Sequence, residues 1–186
     1  MTHIISFFGA PGVGKTTLAN ELSRQTGYYF FDRDILLDAV FKDDRESELY
    51  KNWAGKMTKS TWDLANYNAR NGASSILESP MLPALQGKDA SFFSDTIKAG
   101  KEQGFSLDLI YCVAPSEVVL EYMKARGAAR DEPKYADWKA FEDQWLNVPG
   151  PKDDYKHLRV DTSLPIEENV QRIFDYVSLK GECFCR

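Results

Sequence analysis

The chain predicts an α/β fold of three layers, with a mostly parallel five-stranded sheet between helices. Three features lead there. Five short apolar runs recur along the sequence, helix-like stretches separate them, and the intervals are too long for hairpins, so successive strands run in the same direction.

The first run, Ile4-Ile5-Ser6-Phe7-Phe8, is apolar enough for a central strand covered on both faces. Gly9 to Gly14 breaks it. Leu18, Ala19 and Leu22 then share one helical face, and Gly27 lies just past that helix's end. Tyr28-Tyr29-Phe30-Phe31 is the second strand, stopping at Asp32-Arg33-Asp34. About 40 residues follow, too many for a bare loop, and they predict helices carrying Trp53, Trp62 and Tyr67. Ser74 to Leu77 is the third strand, ending at Glu78, and Leu107 to Val113 is the fourth. Ser116 is placed to cap a helix bearing Val119, Tyr122 and Met123. Trp138, Phe141 and Trp145 recur at helical spacing in another. His157 to Val160 is the fifth strand, ending at Asp161. The last helix opens near Pro165 with Ile166, Val170, Ile173 and Val177 on one side. Without repeats, low-complexity tracts or a linker, residues 1–186 read as one domain with a tail from about 180 to 186.

Composition narrows the function classes. Apolar residues are 43% and charged residues 27%, suited to a globular core. The net charge of −5 argues against a broad nucleic-acid-binding face. No apolar run is long enough to span a membrane, and Met1-Thr2-His3 lacks the features of a secretory signal. Cys112, Cys183 and Cys185 are sparse and odd in number, as expected of free thiols in a cytoplasmic protein. Cys183 and Cys185 have no third or fourth ligand nearby in sequence for a metal. His3 and His157 stand outside any nucleophile setting, which excludes a Ser-His-Asp hydrolase.

The strongest motif is Gly9-Ala10-Pro11-Gly12-Val13-Gly14-Lys15-Thr16, a match to G-x-x-x-x-G-K-[ST] at every fixed position, with Thr17 following. Its glycines let the backbone curl so that N–H groups point at phosphate oxygens. The helix that follows presents its open amides and positive end to the same anion. Lys15 is placed to bridge the β- and γ-phosphates of ATP, and the Thr16 hydroxyl to ligate Mg²⁺. A P-loop NTPase fold follows. The guanine-reading N-K-x-D and switch D-x-x-G strings are absent, which excludes a typical GTPase and leaves small-molecule or polynucleotide kinases.

Residues at the carboxyl ends of parallel strands line the ligand crevice. Asp32-Arg33-Asp34 ends the second strand, so Asp34 is the candidate base toward an acceptor hydroxyl; its competing role is a helix cap. Asp32 would orient Lys15 or Arg33. Glu78 ends the third strand, where it can hold a metal-bound water or touch the acceptor.

The P-loop with Asp32-Arg33-Asp34 resembles the group containing phage-type polynucleotide 5′-kinases, zeta toxins and chloramphenicol phosphotransferases, and more distantly adenylylsulfate kinase. The likeness runs from Ile4 to about Val177. It implies that Asp34 is the base, and that Glu78-Ser79-Pro80 corresponds to the Glu-Gly-Thr of zeta toxins. It also implies a helical lid over about 124–135 whose Arg126 and Arg130, four apart and on one helix face, close on the phosphates. Arg126 has a second possible place, stacked on adenine. The turn Asp161-Thr162-Ser163, before Asn169 and Val170, would pass near the adenine. Polynucleotide kinases carry a phosphate-holding arginine where this chain has Leu37, which argues against a phosphorylated nucleic-acid acceptor.

Acceptor contacts are expected from Arg33, Asp34, Trp53, Lys56 and Glu78, with Tyr50, Lys59, Trp62 and Met81 as further candidates. The reading is therefore an ATP- and Mg²⁺-dependent phosphotransferase acting on a small-molecule hydroxyl. The alternatives are a polynucleotide or nucleotide-sugar kinase, or a slowly hydrolysing ATP-binding switch module. The oligomeric state is left open.

Overall fold

The computed structural model describes residues 1–41, 44–78, 91–152 and 155–178. Strands β1 (Thr2–Phe8), β2 (Tyr29–Asp32), β3 (Ser75–Glu78), β4 (Phe105–Val113) and β5 (His157–Asp161) form one sheet in the order β2-β3-β1-β4-β5. Every neighbouring pair is parallel. The strand boundaries differ from the apolar runs by one or two residues, because backbone pairing carries β2 through Asp32 and β3 through Glu78.

Parallel pairing demands crossovers, and helices supply them. Helix α1 (Lys15–Thr26) leads to β2; α2 (Arg33–Phe41) and α3 (Glu48–Arg70) lead to β3; α4 (Ser91–Gln103) leads to β4. After β4 come α5 (Ser116–Arg126), a 3₁₀ turn (Ala129–Asp131), α6 (Glu132–Ala136), α7 (Trp138–Phe141) and a π turn (Glu142–Leu146). Helix α8 (Ile166–Ser178) closes the described chain.

The alternation of β1 explains the three layers. Ile5 and Phe7 pack on one side with Leu18, Leu22, Val119 and Ile173, residues of α1, α5 and α8. Ile4 and Phe8 pack on the other with Trp62, Ala65, Leu77 and Leu109. All four β1 side chains are at most 1% exposed, as a central strand requires.

Two helical expectations need correction. Ser116 does not cap α5: Pro115 holds the cap position, while the Ser116 hydroxyl bonds Glu142 and accepts from Trp138 Nε1 at 3.1 Å. Trp138, Phe141 and Trp145 do not share one regular helix either. Asp137 leaves helical geometry and caps α7 through Ala140 N, and the chain then widens into the π turn that carries Trp145.

Candidate active site

The phosphate loop sits where β1 ends beside β4. Gly9 has φ 141°, and a Cβ there would stand 2.3 Å from the Cys112 carbonyl oxygen, so only glycine brings the loop this close to the sheet. Gly14, at φ 82°, precedes α1 with no side-chain cap and no acidic residue in the first turn. The opening amides of α1 are left as a seat for an anion. Lys15 Nζ donates to the Ala10 carbonyl at 2.9 Å and lies 3.7 Å from Glu78. The Thr16 hydroxyl donates to Glu78 at 2.5 Å. Ala10 and Val13 face the core with their side chains, and the Val13 carbonyl accepts from the Thr162 hydroxyl at 2.6 Å.

Sheet register sets two carboxylates side by side, since Asp32 pairs with Glu78 across β2 and β3. Burial and then the Glu78 charge push the Asp32 carboxyl above the ordinary carboxylate range. Asp32 Oδ1 accepts from Asp34 N at 2.7 Å and Ile35 N at 3.3 Å, so Asp32 caps α2 and Asp34 does not. That arrangement leaves the Asp34 side chain for the cavity. Its Oδ1 accepts from Arg33 at 2.8 Å, and its Oδ2 accepts from Arg45 at 3.3 Å with Arg130 4.0 Å away. Burial pushes the Asp34 carboxyl up, but the Arg33 charge and hydrogen bond, followed by Arg45 and Arg130, outweigh it and hold the group below its usual range.

Arg126 and Arg130 do not share a helix face. Helix α5 ends at Arg126, Gly127 turns left-handed at φ 61°, and Arg130 lies in the 3₁₀ turn. Both still reach the cavity. Fully buried Asp131 accepts from Arg126 Nε at 2.9 Å and from Lys134 at 2.7 Å, bracing the segment from below. Arg130 donates to Asp38 of α2 at 2.9 Å.

Two cavities meet over the loop. The larger, of about 700 Å³, runs from Gly14, Lys15, Thr16 and Thr17 to Tyr122, Arg126, Thr162, Leu164 and Asn169. The smaller, of about 240 Å³, adds Gly9, Pro11, Arg33, Arg45, Lys134 and Trp145. Gly12, Lys15, Thr16, Asp32, Asp34, Glu78, Arg126 and Arg130 line both. Thr162 is fixed by Val13 and Val113 and accepts from the Tyr122 hydroxyl at 3.0 Å. Asn169 donates its amide to the Asp161 carbonyl at 2.7 Å, which ties the turn after β5 to α8.

The structure brings Arg33, Asp34 and Glu78 together but not Trp53 or Lys56. Those two face each other on α3, with Lys56 Nζ 5.8 Å from the Trp53 ring centre, and line neither cavity. Trp62 is core, Lys59 pairs with Asp63, and Tyr50 lies beneath Arg45. Leu37 is fully buried. Ser79, Pro80, Met81, Cys183 and Cys185 lie outside the described residues. Sequence reasoning missed Asp38, Arg45, Tyr122, Lys134 and Leu164. Asp38 had a signal, standing one helical turn after Asp34; Arg45 had none. Ser106, His3 and Asp108 do cluster at the far end of the sheet, yet serine and aspartate meet the same ring atom, His3 Nδ1, at 2.8 and 2.9 Å. With the imidazole unable to relay between them, this is a buried structural cluster rather than a hydrolytic triad. Among the described residues no helix is long and apolar enough to cross a membrane.

A parallel sheet with a G-x-x-x-x-G-K-[ST] loop after its central strand, a lysine over that loop and carboxylates at the flanking strand ends defines a P-loop kinase. The chain belongs to the family described as AAA domain, which matches residues 4–151. It is 24% identical over 178 residues to shikimate kinase 2 of Yersinia enterocolitica, covering 93% of this chain and 94% of that one. A candidate kinase from Chloroflexus aurantiacus superposes with a TM-score of 0.74 at 21% identity, covering 97% of this chain and 98% of that one. APS kinase of Mycobacterium tuberculosis, solved with AMPPNP and APS, gives a TM-score of 0.61 at 19% identity over 95% of this chain and 98% of that one.

Proposed function

We propose that the chain transfers the γ-phosphoryl group of ATP to a hydroxyl of a small-molecule acceptor. The observation that carries this reading is the overlap of the two cavities on Lys15, Thr16, Asp34, Arg126 and Arg130. A nucleotide entering by the larger cavity and an acceptor held in the smaller meet at those residues. The relatives named above support a small acceptor, since shikimate kinase 2 and APS kinase are named for small molecules.

In this mechanism the amides of the loop and of the α1 start hold the phosphates, and Lys15 exchanges the Ala10 carbonyl for phosphate oxygen. The donor set suits Mg²⁺: a threonine hydroxyl 2.5 Å from Glu78, with Asp32 crowded against that same carboxylate, is oxygen-only and gains from a cation. Thr16 would hold the ion directly and Glu78 and Asp32 its waters; bound there, it would neutralise charge on the phosphates. Asp34, held ionised by Arg33, aims the acceptor hydroxyl and takes its proton as the new O–P bond forms and the bridging O–P bond to the β-phosphate breaks. Arg126 and Arg130 close as a lid and stabilise charge on the transferring group.

The test is γ-labelled ATP with a panel of hydroxyl metabolites, antibiotics and 5′-hydroxyl oligonucleotides. Label in a small molecule is expected. Label only in oligonucleotides, or only slow release of inorganic phosphate, would replace this reading with a polynucleotide kinase or a switch module.

A further inference from the structure

We propose that the acceptor carries an anionic group, a carboxylate, sulfate or phosphate, and that Arg45 binds it; this rests on the phosphotransfer reading above. Among the described residues, the smaller cavity faces six cations, Lys15, Arg33, Arg45, Arg126, Arg130 and Lys134, against three carboxylates, Asp32, Asp34 and Glu78. Asp34 pairs with Arg33, Arg45 and Arg130 at once and Glu78 with Lys15, while two further carboxylates that pair with these cations do not line the smaller cavity. Asp131, fully buried, stands behind Arg126 and Lys134, and Asp38 stands behind Arg45 and Arg130. An occupant therefore meets a positive wall, and a half-buried positive wall selects negative charge.

The triphosphate accounts for Lys15 and the lid arginines. Arg33 is committed to Asp34 through two nitrogens and to Thr58 through the third. Arg45 stands on the acceptor side. It comes from the connection between α2 and α3, lies 5.7 Å from the Tyr50 ring centre, bonds Asp38, and keeps a side chain 20% exposed. A guanidinium held by a ring and by Asp38 and Asp34 through its two Nη atoms is preset in orientation, and its Nε is left for a planar or tetrahedral oxyanion. Within α2 the guanidinium that faces the cavity is Arg33, already held by Asp34, and Leu37 one turn on is sealed in the core. Arg45 also lies 3.3 Å from Asp34 Oδ2, so the bound anion sits beside the group that aims the hydroxyl. The acceptor's hydroxyl and its acid are thus separated by only a few bonds, as in a hydroxy acid or a small phosphorylated or sulfated alcohol.

The test uses titration calorimetry in two stages. The protein is first saturated with a non-hydrolysable ATP analogue and Mg²⁺; failure to saturate would remove the kinase reading itself. Sodium sulfate, inorganic phosphate and acetate are then titrated into the loaded protein, whose nucleotide site is filled. One or more should bind in the millimolar range, with the preferred anion naming the acid. Arg45→Met should weaken that binding by about tenfold or more, and Arg45→Lys by less, with analogue affinity unchanged in both. Melting curves identify any variant that fails to fold, in which case Arg45→Lys carries the comparison. No anion binding to the loaded wild type, or equal binding by a folded Arg45→Met, would overturn the proposal while leaving phosphotransfer standing.

Discussion

Arg130 donates to Asp38 at 2.9 Å across a separation of 92 residues, tying the segment after β4 to the helix that carries Asp34. The same guanidinium stands 4.0 Å from Asp34 itself. Under the proposed phosphotransfer Arg130 would also meet the triphosphate, so Asp38 and the phosphates would compete for one guanidinium.

Removing that competitor should favour the nucleotide. Asp38→Asn is expected to tighten binding of a non-hydrolysable ATP analogue by about two- to fivefold, the scale of a partly exposed ion pair. Calorimetry reads this directly, and weaker binding would place Arg130 away from the phosphates. Arg130→Ala should lower kcat by about a hundredfold while changing analogue affinity only a few-fold. Equal losses in both would deny it a role specific to the transition state.

Asp34→Ala should retain analogue binding and lower transfer by roughly 10²- to 10⁴-fold, the range for a lost positioned base. Lys15→Ala should lose both. Rapid-quench transfer assays beside equilibrium binding separate the two, and undiminished transfer by Asp34→Ala would remove it from the mechanism.

Acid should act on Asp32 before Asp34. The Asp32 carboxyl is raised by burial and the Glu78 charge, so falling pH protonates it first, and the Mg²⁺ concentration needed for half-maximal activity should rise as pH falls from neutrality toward the ordinary carboxylate range. Asp32→Asn should show a smaller rise over the same range. Asp34 is lowered and stays ionised throughout, so kcat at saturating Mg²⁺ should carry no Asp34 limb there. Its contribution to stability is present above the ordinary carboxylate value and is lost only as pH falls through the lowered one.

Asp108 tests the opposite end of the sheet. Fully buried and bonded to His3 and Ser106, it lines neither cavity, and Asp108→Ala should cost about 3 kcal/mol through the partners it strands. A lowered Tm with unchanged analogue affinity at low temperature is the expected pair of results; altered affinity would reveal coupling to the loop.

The phosphate loop and the sheet were legible because both are local. Gly9 to Thr16 is contiguous, and each strand announces itself as an apolar run. Asp34 and Glu78 followed from the rule that strand ends line the crevice, whereas the cap fell to Asp32 because its side chain reaches two amides ahead. Arg126 and Arg130 looked like neighbours on one helix, but Gly127 in the left-handed region ends it between them. Trp53 and Lys56 suggested a binding face from residue type alone, and the rotation of α3 turned them elsewhere. Arg45 was invisible: its place depends on its seat over the Tyr50 ring and against Asp34 and Asp38, a fact of tertiary geometry with no periodic trace.

Neighbouring residues of β1 belong to different halves of the interior, and the loop begins one residue beyond Phe8. Deleting a single residue within that strand would set the β1 side chains before the deletion and those after it out of phase, so that either the core residues or the loop would face the wrong side. The grip on phosphate is thereby geared to the folding of the whole sheet, so that a chain mispaired at its first strand could not retain a working nucleotide seat.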